Sequence, residues 1–119
     1  MSGLNRPAVD ADDREMPTAD QVAVAAQTFQ LLADGTRVRI LWALLHGEKS
    51  VGHLAGLVGA QPAAVSQHLA KLRLAGLVRQ RRDGNRVIYM ADNEHVEAML
   101  HEGLHHADHV VQAHPDHPR

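Results

Sequence analysis

Apolar positions recur along most of this chain every three to four residues, and the runs are broken by glycine, proline or short polar clusters. Residues 1–17 are the exception: they are polar, carry Pro7 and Pro17 and show no periodicity, which predicts a disordered tail. Thr18 with Gln21 three residues on has the form of a capping box, in which the two ends satisfy each other's hydrogen bonds. Val22, Ala25, Ala26, Phe29 and Leu32 then form an apolar stripe, predicting a helix over about 19–33. Asp34-Gly35 breaks the pattern. Thr36 is the expected N-cap of a second helix, whose VRILWALL ends at His46-Gly47. Ser50 caps a short third helix, VGHLAGLV, which Gly59 terminates. Gln61-Pro62 opens a fourth, since proline at the first helical position gives up an N–H that has no helical partner. This helix continues through AAVSQHLAKLRLAG to Gly76, with Val65, Leu69, Leu72 and Leu74 expected in the core.

The pattern then changes. LVRQRR and RVIYMA flank Asp83-Gly84-Asn85, a turn sequence between two strands, and predict a hairpin. Two short helices joined by a tight glycine turn make a helix-turn-helix, whose second helix is the kind that enters a major groove. A hairpin directly behind it is a wing. In the last periodic stretch, from Asp92 to His109, Val96, Met99, Leu100, Gly103, Ala107 and then Val110 recur at helical spacing, predicting one amphipathic helix. The expected fold class is therefore mainly α with a small β-hairpin, a winged helix-turn-helix. Its domain spans 18–112, between the tail 1–17 and a histidine-containing tail 113–119.

Composition narrows the function. With 119 residues, 45% of them apolar, one small aliphatic core is all the chain can build. The absence of cysteine excludes disulfides, thiolate metal sites and thiol redox sensing. No run of eighteen apolar residues and no hydrophobic signal core occur, so a cytoplasmic protein without membrane partners is expected. The net charge of −2 argues against nucleic acid only until it is resolved by segment. From Gln61 to Met90, Lys71, Arg73, Arg79, Arg81, Arg82 and Arg86 face Asp83 alone, a net of +5. The acids lie in the N-terminal tail and the last helix. Such asymmetry suits a local phosphate-binding surface on double-stranded DNA.

The candidate DNA contacts are Gln61, Ser66, Gln67, His68, Lys71, Arg73, Arg81, Arg82, Asn85 and Arg86. Ser66 and Gln67 suit base edges or phosphates, and Lys71 suits a phosphate. Arg81, Arg82, Asn85 and Arg86 would let the wing grip the backbone or minor groove. His68 reads as packing or a phosphate contact. Each taken singly could be an ordinary solvated residue; the set favours DNA. No paired carboxylates, nucleophile–base arrangement or phosphate-cradling loop suggests an enzyme.

Five of the ten histidines fall between Asp92 and His109, and His114 and His117 follow. At about 100° per residue, His95, His106 and His109 share one helix face, whereas His101 and His105 point elsewhere, toward solvent. His95 lies about 16 Å from His106 along the axis, while a metal–nitrogen bond is about 2 Å. No single ion can bind all three on one straight helix. An antiparallel second copy would bring His95 of one chain beside His106 and His109 of the other, giving a homodimer with two symmetry-related sites. The bland alternative is a solvated, histidine-rich helix end.

The runs FQLLADGTRVRILWALL and SVGHLAGLVGAQPAAVSQHLAKLRLAGLVRQRRDGNRVIYMADNEHV resemble the ArsR/SmtB metal-sensing repressors, from about Val22 to His109. LAD-x-TR-x-x-IL, VSQHL-x-x-L and the Arg82-Asp83-Gly84 turn with Tyr89 behind it occur in order. The resemblance implies a winged-helix homodimer joined through its terminal helices that binds operator DNA without metal and releases it when metal binds. The family's cysteine-pair site cannot apply, because Ser50 and Gly52 occupy those places. Its terminal-helix site implies His95, His106 and His109, but Asn93 stands where that pattern has aspartate, leaving Asp92, Glu94 or the tail to complete the set. DNEHV followed by ADH and a histidine-bearing tail is similar to the KmtR-like nickel/cobalt sensors, which implies His95, Asp108, His109 and tail histidines. Four histidine and carboxylate ligands suit tetrahedral zinc; five or six, with His114 and His117 recruited, suit cobalt or nickel. The expected signal is nickel or cobalt, with zinc as the alternative. Two other functions stay open: a winged-helix repressor answering a non-metal signal, and a histidine-rich metal buffer.

Overall fold

In a computed structural model of the protein, which describes residues 15–92 and 94–113, the chain divides into two units, residues 1–30 and 31–119. Helix α1 (Ala19–Leu32) crosses that division. Its start is the expected capping box: the Thr18 N–H donates to Gln21 Oε1 at 2.9 Å, and the Gln21 N–H donates to Thr18 Oγ1 at 3.1 Å. Only the end of the α1 stripe reaches the core, where Leu32 packs half-buried against it. None of the helix's residues is fully buried, and Phe29 is 61% exposed, with Val22 and Val24 exposed beside it in sequence.

The second unit carries α2 (Gly35–Leu45), β1 (Lys49–Ser50), α3 (Val51–Val58), α4 (Pro62–Leu74), β2 (Val78–Asp83), β3 (Arg86–Ala91) and α5 (Glu94–Ala113). The N-cap of α2 is Asp34, not Thr36. Asp34 is extended (φ −137°, ψ 122°), and its Oδ1 accepts from the Arg37 N–H three residues on at 3.0 Å. Thr36 already lies inside the first turn. Ser50 caps α3 by accepting from the His53 N–H, and Gly59 ends it at φ 70°, in the left-handed region. Gln61 leads into α4 without a side-chain cap bond, with Pro62 opening the helix.

The hairpin turns at Gly84-Asn85. Gly84 has φ 65° while Asn85 stays negative, the pattern of a turn whose twist matches the strands it joins. The sheet has a third strand that the sequence pattern does not show. β1 pairs antiparallel with β3, giving the order β1-β3-β2, but two residues are too few to display alternation. It ties the segment before α3 to the wing.

The core is aliphatic, as composition requires: Ile40, Leu41 and Leu44 from α2, Leu54 from α3, Val65, Leu69 and Leu72 from α4, Val78 from β2, and Val96 and Leu100 from α5. Full burial of such a side chain is worth roughly 1.5–3 kcal/mol. Leu74 departs from expectation and is 91% exposed. It follows Leu72 by two residues, about 200° around a helix, so the two cannot share the core face. Along α5 burial stops at Leu100; residues 101–113 are all exposed, including Leu104, Val110 and Val111.

Candidate functional site

Helix α4 packs on α3, and its buried Val65, Leu69 and Leu72 fix which side turns outward. Ser66, Gln67, Lys71 and Arg73 are all exposed on it, as is Gln61 at its N-cap. Gln67 and Lys71, four apart, share one strip of that surface, and Ser66 and Arg73, seven apart, share another. His68 sits at the edge of the buried face, half-buried. Its Nδ1 accepts a hydrogen bond from Arg37 Nε of α2 at 3.0 Å. Arg37 also donates from its terminal nitrogen to the Leu31 carbonyl at 3.2 Å. The Arg37 backbone N–H holds the Asp34 carboxyl below its ordinary pKa, and the Arg37 charge adds to that effect.

On the wing, the four arginines separate into two groups. Arg79 pairs with Asp92 at 2.6 Å, and Arg81 pairs with Glu48 at 2.7 Å through one nitrogen and 3.1 Å through Nε. Arg82, Arg86 and Asn85 are exposed. The Glu48 carboxylate, hydrogen-bonded to Arg81, raises that guanidinium's pKa further and already balances its charge. Arg81 is thus the expected wing contact whose charge is least available to phosphate. Sequence reasoning did not single out Arg37, Glu48 or the pairing role of Asp92. Their partners lie 31, 33 and 13 residues away, beyond the reach of any local pattern.

The expected metal ligands lie on α5, a continuous helix of 20 residues. His95, His106, Asp108 and His109 are all exposed. His95 and His106 remain about 16 Å apart along a straight helix, and among the described residues no three histidine, cysteine or carboxylate side chains in one protomer converge as metal ligands. His109 meets His105, expected on a different face, with ring centroids 4.5 Å apart. The Asp108 carboxylate accepts from Gln112 Nε2 at 3.2 Å on each oxygen. His114, His117 and Asn93 lie outside the described residues. Among the described residues, no helix is long and apolar enough to cross a membrane.

A reading helix with an outward polar and basic face, backed by a basic hairpin, defines a winged-helix DNA-binding protein. Residues 34–80 match the profile of the bacterial regulatory proteins, arsR family. The chain is 47% identical over 100 residues to the HTH-type transcriptional regulator KmtR of Mycobacterium tuberculosis, covering 84% of this chain and 77% of that one. Among solved structures, it superposes on the antimony-specific transcriptional repressor AntR with a TM-score of 0.75 at 35% identity, covering 84% of this chain and 91% of that one. A homodimeric winged helix-turn-helix DNA-binding domain from Mycobacterium bovis gives a TM-score of 0.73 at 31% identity, covering 85% and 92%. This chain belongs to the ArsR family of bacterial transcriptional regulators.

Proposed function

We propose that the protein is a metal-responsive repressor that binds operator DNA as a homodimer and is released when nickel or cobalt binds at the interface of its terminal helices. One observation carries the reading: α5 presents His95, His106, Asp108 and His109 in the open, on a helix too straight for one protomer to gather them around an ion. A second copy would complete the donor set that α5 presents. Uncovered apolar side chains favour such a copy, with Val22, Val24 and Phe29 exposed on α1 and Leu104, Val110 and Val111 exposed on α5. The homodimeric state of the Mycobacterium bovis relative supports the same assembly.

The candidate donors are histidine nitrogens and carboxylate oxygens, and the chain has no cysteine to supply a thiolate. The antimony specificity of AntR makes a sensed metal or metalloid a precedent within the fold, but a thiolate site cannot be the means here. A bound ion would supply a crosslink between the two terminal helices. Those helices would then hold one arrangement and set the spacing of the two copies of α4. A spacing that misfits successive major grooves about 34 Å apart lowers operator affinity. Metal must then bind the free dimer more tightly than the DNA-bound one, and DNA weakens metal binding by the same factor.

The ligand assignment is tested by substitution. Cobalt titration of the wild-type dimer should saturate at two ions per dimer, and DNA release should follow the same curve. His95→Ala, or His106→Ala with His109→Ala, should abolish release while leaving metal-free DNA binding intact. Release that survives both sets of substitutions would overturn the assignment.

A further inference from the structure

We propose that Arg37 is a positioning residue for DNA recognition, which orients His68 on the reading helix and fixes which ring nitrogen carries its proton. The inference rests on the DNA-binding reading above and deepens it.

The chemistry is constrained by the donor. A guanidinium has N–H groups and no acceptor, so the 3.0 Å contact between Arg37 Nε and His68 Nδ1 has one polarity: Arg37 donates and Nδ1 accepts. His68 must therefore be neutral, with its proton on Nε2. Among the described residues, no protein group is hydrogen-bonded to Nε2. The ring lies half-buried between exposed Gln67 and buried Leu69, on the helix that carries Ser66 and Gln67 outward. A fixed, unpaired N–H donor at the margin of the reading face suits a phosphate or base oxygen of DNA.

Arg37 is itself held from three directions. Its backbone N–H is the capping bond of α2 to Asp34, its terminal nitrogen donates to the Leu31 carbonyl, and its Nε holds His68. The side chain thus joins the end of α1 and the start of α2 to the reading helix. The cap uses the backbone N–H alone, so replacing the side chain leaves it in place. The variant that removes the positioning contact spares the local helix start.

Two measurements test the inference. The first uses the free full-length dimer and long-range proton–nitrogen correlation on its histidine rings, with His68→Asn identifying the His68 signals. His68 should show an unprotonated Nδ1 and a protonated Nε2, and Arg37→Met should shift it to a tautomer mixture. The second uses a duplex enriched from a random library by the wild-type protein, with poly(dI-dC) as nonspecific control. Arg37→Met should weaken binding to the selected duplex at least tenfold at fixed salt, while affinity for the control changes less than twofold. The same substitution should have little further effect in a His68→Ala background. Melting temperatures and Arg37→Lys separate misfolding from mispositioning, because lysine restores the charge without the planar donor and should rescue folding but not selectivity. A proton on Nδ1, or additive effects of the two substitutions, would overturn the inference and leave DNA binding standing. A wild-type protein that selects no duplex would overturn the DNA-binding reading itself, whatever the tautomer.

Discussion

Arg82→Ala is expected to flatten the salt dependence of DNA binding, whereas Arg81→Ala, its neighbour in sequence, is expected to leave it nearly unchanged. The magnitude follows from which charges are already spoken for. Of the basic residues between Gln61 and Met90, Arg79 is paired with Asp92 and Arg81 with Glu48. Lys71, Arg73, Arg82 and Arg86 are left exposed for phosphate, which makes about eight contacts across a dimer and a slope of log affinity against log salt near −7. Affinity would then fall about 10⁴-fold between 50 and 200 mM salt. Removing Arg82 from both protomers should bring the slope to about −5, while Arg81→Ala should shift it by less than about one unit. Glu48→Gln frees Arg81 and should steepen the slope toward about −9. Fluorescence anisotropy of a labelled duplex across a salt series reads all three. Equal flattening by Arg81→Ala and Arg82→Ala, or a wild-type slope shallower than about −3, would refute the division of charges.

Other outcomes follow from the packing and the caps. Leu69 is fully buried beneath the reading face, so Leu69→Ala should cost about 2–5 kcal/mol in urea unfolding; a loss below about 1 kcal/mol would mean that α4 is not anchored there. Asp34 titrates below its ordinary 3.8 in the folded protein, chiefly through the Arg37 N–H. Its contribution is therefore complete above the ordinary value and lost as pH falls through the lowered one. The gap in urea midpoint between wild type and Asp34→Ala should hold steady from pH 7 to about 5 and close in stronger acid. A gap that widens in acid would contradict the cap. Val110→Asp places a charge on the uncovered face of α5 and should convert the dimer to a monomer in sedimentation equilibrium; an unchanged dimer would exclude that face from the interface.

Much of the fold was legible because its signals are local. The Thr18–Gln21 box, the Ser50 cap, the Gly59 stop and the Asp83-Gly84 turn each involve residues within three or four positions. Where two local signals competed, the pattern alone misjudged. Asp34 and Thr36 are both capping residues, and only the extended backbone at Asp34 decides between them. Leu72 and Leu74 are equally apolar, yet helix geometry permits only one of them to be buried. The candidate sites were legible as residue types but not as partnerships. Counting basic residues singled out a surface, but the ion pairs of Arg79 and Arg81 depend on how the strands are laid beside Glu48 and Asp92. The contact between Arg37 and His68 spans 31 positions and exists only once α2 and α4 are packed. On α5 the helical wheel placed His109 with His106, while the side chains bring it against His105, because rings four apart on a helix lean over the same turn.

In the proposed mechanism, metal binding and operator binding oppose each other in one dimer. Anisotropy of the selected duplex, measured with a chelator and then with nickel, cobalt and zinc separately at one salt concentration, tests it most directly. Tight binding with chelator and release by nickel or cobalt, with the cobalt absorption of a five- or six-coordinate ion, is the predicted result. Release by zinc with tetrahedral cobalt absorption would replace the larger ligand set with a four-ligand one. Tight DNA binding that no metal disturbs would rule out metal-driven release, leaving a repressor without this sensor.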